Sequence, residues 1–137
     1  MARAIVVQRF PKVLREIQRA VSLVNQDANE KIFYTADPDE AAELARDEEE
    51  VVVVSSQVFS PDVSGTTLAS KIKRENPRAL FFLYSYTPEH APQIDGIIPK
   101  TPTHHLLAEF LSFVVGSDFQ ATQLQSRFPQ IEFSSDK

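Results

Sequence analysis

Val51-Val52-Val53-Val54-Ser55-Ser56-Gln57-Val58-Phe59-Ser60-Pro61-Asp62-Val63-Ser64-Gly65 is the stretch that settles the architecture of this chain. It opens on four consecutive valines. β-Branched side chains without polar alternation suit a strand covered on both faces, the condition of a central strand in a parallel sheet. Pro61, Asp62, Ser64 and Gly65 then mark a loop. Helical spacing follows from Thr66 or Thr67, with Leu68, Ala69 and Ile72 on one face. That helix stops at Asn76-Pro77, because the residue before a proline is pushed out of helical geometry. Strand, loop and helix in this order make one βα unit.

The same unit recurs outward in both directions. Residues 4–7 form a first strand, and Leu14, Ile17, Val21 and Val24 recur at helical spacing over residues 11–26. Residues 32–35 form a second strand. It leads into Asp37-Pro38-Asp39-Glu40, where Asp37 caps a helix, Pro38 takes the first turn and Glu40 closes a capping box. That helix runs to about Ala45 and ends in the acidic run of residues 47–50, a solvated helix end that would also suit a basic partner. Residues 80–84 are a fourth buried strand and residues 96–98 a short fifth. Thr103 is placed to cap a final helix carrying Leu106, Leu107, Phe110, Leu111 and Val114. Between Ser85 and Lys100, Pro88, Pro92 and Pro99 leave room only for a loop or a single turn.

These units predict an α/β three-layer sandwich of flavodoxin-like type, with a five-stranded parallel sheet and its fourth helix shortened or missing. In such sheets, sites gather at the carboxyl ends of the strands. The domain spans residues 1–116. Residues 117–137 form a tail, either a linker or a short extra helix capped by Asp118 that buries Phe119, Leu124 and Phe128.

Composition narrows the functional classes. The chain has 137 residues, 42% hydrophobic and 24% charged, which suits one globular domain. Without cysteine there are no disulfides, no thiol catalysis and no thiolate metal sites. No apolar run approaches the roughly 20 residues that cross a bilayer. Met1-Ala2-Arg3-Ala4 leads straight into a strand, so no signal peptide is visible and a cytoplasmic location is expected, without membrane contact. The net charge of −5 argues against nucleic acid, which needs clustered Lys and Arg.

Three strings resemble the skeleton of a response-regulator receiver domain: residues 6–10, residues 57–61 with Gly65, and Gly96-Ile97-Ile98-Pro99-Lys100. The resemblance covers residues 3–115. Pro61 and Gly65 fall in register behind Gln57, Lys100 matches the lysine that ends the fifth strand, and Ser85 matches the hydroxyl residue that ends the fourth. In that family the first string ends in paired acids that hold Mg²⁺, and the second carries the aspartate that accepts a phosphoryl group. Here those positions read Gln8, Arg9 and Gln57. Glutamine cannot form an acyl phosphate, and Arg9 with Lys100 would repel a cation. The family's switch aromatic, three positions before the lysine, is Ile97. The resemblance therefore implies a pseudo-receiver, not an enzyme and without cofactor or metal, that signals by protein–protein interaction independent of phosphorylation.

Gln8, Arg9, Gln57, Ser85 and Lys100 are then a vestigial pocket, with Gln57 expected to bond Lys100 or Ser85 and hold one state. Two rival readings stand beside it. One is a sensor of a small anion or metabolite bound by Arg9 and Lys100, since guanidinium and ammonium groups favour phosphate-like ligands. The other is the receiver fragment of a longer regulator, disfavoured by a chain ending at Lys137. The final helix is apolar beyond one face, so Phe110, Phe113 and Val114 are expected to form a partner surface or homodimer face. The loop residues Tyr86, Pro88, His90 and Pro92 are expected to join them. His104 and His105 point about 100° apart on a helix and cannot chelate together. His105 and Glu109 alone make a poor metal site.

Overall fold

The computed structural model of the chain describes residues 2–46, 50–86, 89–116 and 119–134. Six strands form one sheet in the order β2-β1-β3-β4-β5-β6. They are β1 (Arg3–Val7), β2 (Ile32–Thr35), β3 (Val51–Ser55), β4 (Leu80–Leu83), β5 (Gly96–Ile97) and β6 (Glu132–Phe133). The first five are parallel, and β3 pairs residue for residue with both β1 and β4. The helices are α1 (Pro11–Val24), α2 (Pro38–Arg46), α3 (Gly65–Glu75), α4 (His105–Val114) and α5 (Leu124–Arg127).

Alternation along the strands sends side chains to two cores. Val6, Val52, Val54, Phe82 and Tyr84 face α1 and α4, while Ile5, Val7, Val51, Val53, Phe81 and Leu83 face α2 and α3. Every residue of β3 is buried, as its run of valines requires of a strand covered on both faces. This is the three-layer flavodoxin-like sandwich. No described helix is long and apolar enough to cross a membrane.

Several boundaries differ from expectation, each for a local reason. The helix of the first unit stops at Val24, and residues 26–31 wind into a 3₁₀ helix whose entry is held by the Asn25 side chain accepting from the Asp27 N–H. Asp37 does cap α2, accepting from the Asp39 N–H at 2.9 Å. Glu40, however, accepts from the Thr35 hydroxyl at 2.6 Å, and that hydroxyl in turn accepts the Asp37 N–H. At α4 the cap residue is His104 rather than Thr103, in a left-handed backbone conformation with φ of 57°. The Thr103 hydroxyl instead meets His105 Nδ1 at 3.0 Å.

No helix forms between β4 and β5 among the described residues, in keeping with the prolines there. The acidic residues 47–49, Pro88 and Asp118 lie outside the described residues.

The tail does more than either reading of it predicted. Leu124 and Phe128 are buried through α5, but the chain then continues into β6, which pairs antiparallel with β5 and adds a sixth strand to the expected five. Ile131 is buried just before it.

Candidate functional site at the carboxyl ends of the strands

Parallel strands all present their carboxyl ends to one side of the sheet, so Gln8 after β1, Gln57 after β3, Ser85 after β4 and Lys100 after β5 gather there. Gln8 and Gln57 are buried, at 2% and 3% exposure. Gln8 Oε1 accepts from the Ser56 hydroxyl at 2.9 Å, and that hydroxyl accepts the Arg9 N–H at 3.0 Å. One serine thus ties the loop after β1 to the loop after β3.

Gln57 reaches the loop that follows β4. Its Oε1 accepts the backbone N–H of Glu89 at 2.8 Å, anchoring the loop that follows β4. Its own carbonyl accepts from the Gly65 N–H at 2.6 Å, closing the loop onto the start of α3. Gly65 is required there because a Cβ would lie 2.4 Å from the Ser56 carbonyl oxygen and 2.6 Å from Leu83 Cδ2. Three buried side-chain atoms lack a hydrogen-bond partner among the described residues: Gln8 Nε2, Gln57 Nε2 and Thr101 Oγ1. All three follow β1, β3 or β5 at this same end.

The two cations behave differently. Arg9 is exposed, its guanidinium 5.1 Å from the Phe10 ring. Lys100 is half-buried, its ammonium 5.4 Å from the Tyr84 ring and 5.0 Å from the Tyr86 ring. Burial pushes the Lys100 ammonium below its ordinary pKa, and the negative charge of Glu16 partly opposes that. Ser85 is half-buried, and Ile97 is buried in β5 as an apolar side chain with no polar tip.

Beneath Lys100 lies a polar cluster that sequence reasoning did not assemble. Tyr84 is fully buried and its hydroxyl bonds His104 Nδ1. His104 Nε2 lies 3.6 Å from Glu16 on α1. Burial raises the Tyr84 pKa well above the ordinary 10.0, with the Thr101 backbone hydrogen bond acting in the opposite sense. The sequence signal was the apolar run ending in a tyrosine, but its partner twenty residues on was visible only as one of two adjacent histidines.

The proposed partner surface divides. Tyr86 is 78% exposed, and His90 and Pro92 are exposed on the same loop. Phe110 and Val114 are both at 0% exposure, a correction to their expected place on a partner face. The apolar excess on the final helix is absorbed by the chain's own tail: Phe128 packs on Phe110 at 5.5 Å, and Phe119 and Phe128 flank the half-buried Phe113.

No family model matches the chain, and no curated protein does. Solved structures do. A signal receiver domain of an HD domain-containing protein from Pseudomonas fluorescens Pf-5 is 19% identical, with a TM-score of 0.60 over 80% of this chain and 93% of that one. The isolated REC domain of RcsB from Salmonella enterica serovar Typhimurium is 17% identical, also with a TM-score of 0.60, over 93% of this chain and 99% of that one. A 3-dehydroquinate dehydratase-like protein from Bifidobacterium longum is 17% identical with a TM-score of 0.53, over 84% of this chain and 96% of that one. The fold is that of response-regulator receiver domains. Function lives in sites grafted on such folds, so the side chains must carry the rest.

Proposed function

We propose that this chain is a pseudo-receiver that acts in signal transduction by phosphorylation-independent contact with another protein. The observation that carries this reading is the state of Gln8 and Gln57. Aspartyl phosphorylation requires carboxylate oxygens open to a metal ion and a phosphodonor. Here two buried amides stand at those positions, each spending its oxygen on the scaffold: Gln8 on Ser56, Gln57 on Glu89. The pocket works as a clamp between loops, and the domain is not an enzyme.

The clamp holds the loop that displays Tyr86, His90 and Pro92. An exposed tyrosine backed by an ammonium is a typical contact residue, because its ring supplies area at low entropic cost. We place the partner surface on this loop. The rival reading as an anion sensor draws less support, since Arg9 lies on Phe10 at the surface and Lys100 on two tyrosine rings.

Two measurements test the reading. Incubation with acetyl phosphate and Mg²⁺, followed by intact-mass analysis, is expected to add no phosphoryl mass; a labile acyl phosphate would overturn it. Affinity capture from the native lysate is expected to recover a partner with the wild-type chain and to lose it with Tyr86→Glu. Equal recovery by both baits would remove the loop from the surface.

A further inference from the structure

Beside the clamp of Gln8 and Gln57 runs a chain of polar contacts that the clamp does not use. Tyr84 lies just after β4, fully buried, and its hydroxyl bonds His104 Nδ1. The other ring nitrogen, Nε2, lies 3.6 Å from Glu16 Oε1 on α1, and the imidazole is only 13% exposed. His104 reaches this place from a left-handed backbone conformation, φ 57°, that few side chains other than asparagine tolerate. The Thr101 backbone also bonds the Tyr84 hydroxyl. Over the ring stands Lys100, its ammonium 5.4 Å from Tyr84 and 5.0 Å from the exposed Tyr86. The negative charge of Glu16 acts on Lys100 as well. One carboxylate thus serves both a lysine and a histidine.

Histidine is the side chain that changes charge between about pH 5 and 8. A neutral imidazole has one N–H. Glu16 offers only acceptor oxygens, so the proton belongs on Nε2, facing it, and Nδ1 is left to accept from the Tyr84 hydroxyl. Uptake of a second proton changes two things. The first is direction: Nδ1–H now donates to the Tyr84 oxygen, and the phenolic proton needs another acceptor. Thr101 Oγ1 is buried without a hydrogen-bond partner among the described residues, and it belongs to the residue that already reaches Tyr84. The second is charge. The imidazolium shares Glu16 with Lys100, and each cation weakens the hold of the carboxylate on the other. His104 is the more enclosed of the two. Lys100 is half-buried on a flexible stem, so it is the one that swings out to water. Tyr86 then loses the ammonium over its ring.

We propose that His104 is a proton-operated switch for the Tyr86 loop: protonation of the imidazole turns its bond to Tyr84 around, draws Glu16 away from Lys100 and releases Tyr86. Contact with a partner is then strongest near neutral pH and falls in mildly acidic surroundings, a consequence that rests on the reading of this loop as the partner surface. The groups that face His104 are Glu16 from α1 and Tyr84 after β4, with Lys100 against the Tyr84 ring. His105 meets Thr103 instead, and His90, on the Tyr86 loop itself, lies 3.4 Å from Glu132.

The test is an NMR titration of the full chain from about pH 8 to about pH 5, in a His90→Gln background so that the loop carries no histidine of its own. The Tyr86 ring signals are expected to shift with the same midpoint as the His104 imidazole. His104→Asn, which suits the left-handed backbone, is expected to leave them flat. Lys100→Met is expected to uncouple Tyr86 while raising the His104 midpoint, since a nearby cation is gone. Tyr86 signals that stay flat as His104 titrates, or that still shift in His104→Asn, overturn the proposal. So does an imidazole that takes up no proton by about pH 5. Should His104→Asn fail to fold, Lys100→Met decides, and Tyr86 following His104 in that variant overturns the switch. These signals are read in the chain alone. A failed switch is therefore told apart from a failed loop reading, which capture with Tyr86→Glu tests.

Discussion

At the residue scale, the site is organised by close approach rather than by charge. Gly65 admits the Ser56 carbonyl and Leu83 into space that any side chain would occupy. Gly65→Ala is therefore expected to cost at least about 2 kcal/mol, within the usual range for overpacking a core, and urea denaturation checks it. Tyr84 shows the opposite kind of constraint, a buried polar tip that must be satisfied. Its bond to His104 also offsets the left-handed backbone that His104 adopts at the start of α4. Tyr84→Phe leaves His104 Nδ1 without that partner. A loss of about 1–2 kcal/mol is expected in the same assay, and no loss would show the bond to be idle. Gly65 was legible in the sequence as a loop glycine in register with Gln57. The tyrosine–histidine–glutamate cluster was not, because its members lie on β4, α4 and α1 and share no local pattern.

Two elements carry most of the local argument. Helix α3 begins in a reciprocal cap, with the Ser64 side chain accepting from the Thr67 N–H and the Thr67 hydroxyl accepting from the Ser64 N–H. Ser64→Ala removes half of it. A loss of about 1 kcal/mol is expected by thermal or urea melting, while Thr66→Ala at the same turn provides a milder comparison. The tail is the second element. Phe128 lies between Phe110 and Phe113, so Phe128→Ala is expected to cost about 3 kcal/mol, as for other buried phenylalanines. A change within error would mean that the tail adds nothing to the core. Helical spacing and runs of valine made β1, β2, β3, α1 and α3 readable almost to the residue. The tail was not readable in this way. A two-residue strand has too few positions to show alternation, and its pairing with β5 is set by distance in space.

For the whole molecule, the charge balance fixes how stability responds to alkali. Tyr34 and Tyr84 are both raised above the ordinary tyrosine pKa of 10.0 by burial. In the unfolded chain they ionise near that value, whereas in the fold they keep their protons. The folded state therefore binds more protons, and stability falls as pH rises from about 9 upward. Lys100 acts in the opposite sense. Its folded pKa lies below the ordinary 10.5, so the unfolded chain binds the extra proton and stability gains slightly just under that pH. Lys100 is half in solvent, so the tyrosines dominate. The urea midpoint is expected to drop steeply between about pH 9 and 11, and Tyr34→Phe with Tyr84→Phe to flatten the drop. An unchanged slope in the double variant would assign the alkaline limb to other groups.

The sequence by itself determined the layered α/β class, the succession of parallel βα units, the lack of room for a helix before β5 and the absence of carboxylates at Gln8, Arg9 and Gln57. These follow from periodicity, proline geometry and side-chain chemistry, all properties of short stretches of chain. Only the tertiary structure decided what the amides hold, which partner Tyr84 finds and where the apolar excess of the final helix goes. Phe110 and Val114 read as surplus in one dimension because their neighbours, Phe128 and the tail around it, come from a segment that only the folded sheet brings alongside. Burial is a property of the three-dimensional neighbourhood, and hydrophobic pattern alone shows that a face must be covered without showing by what.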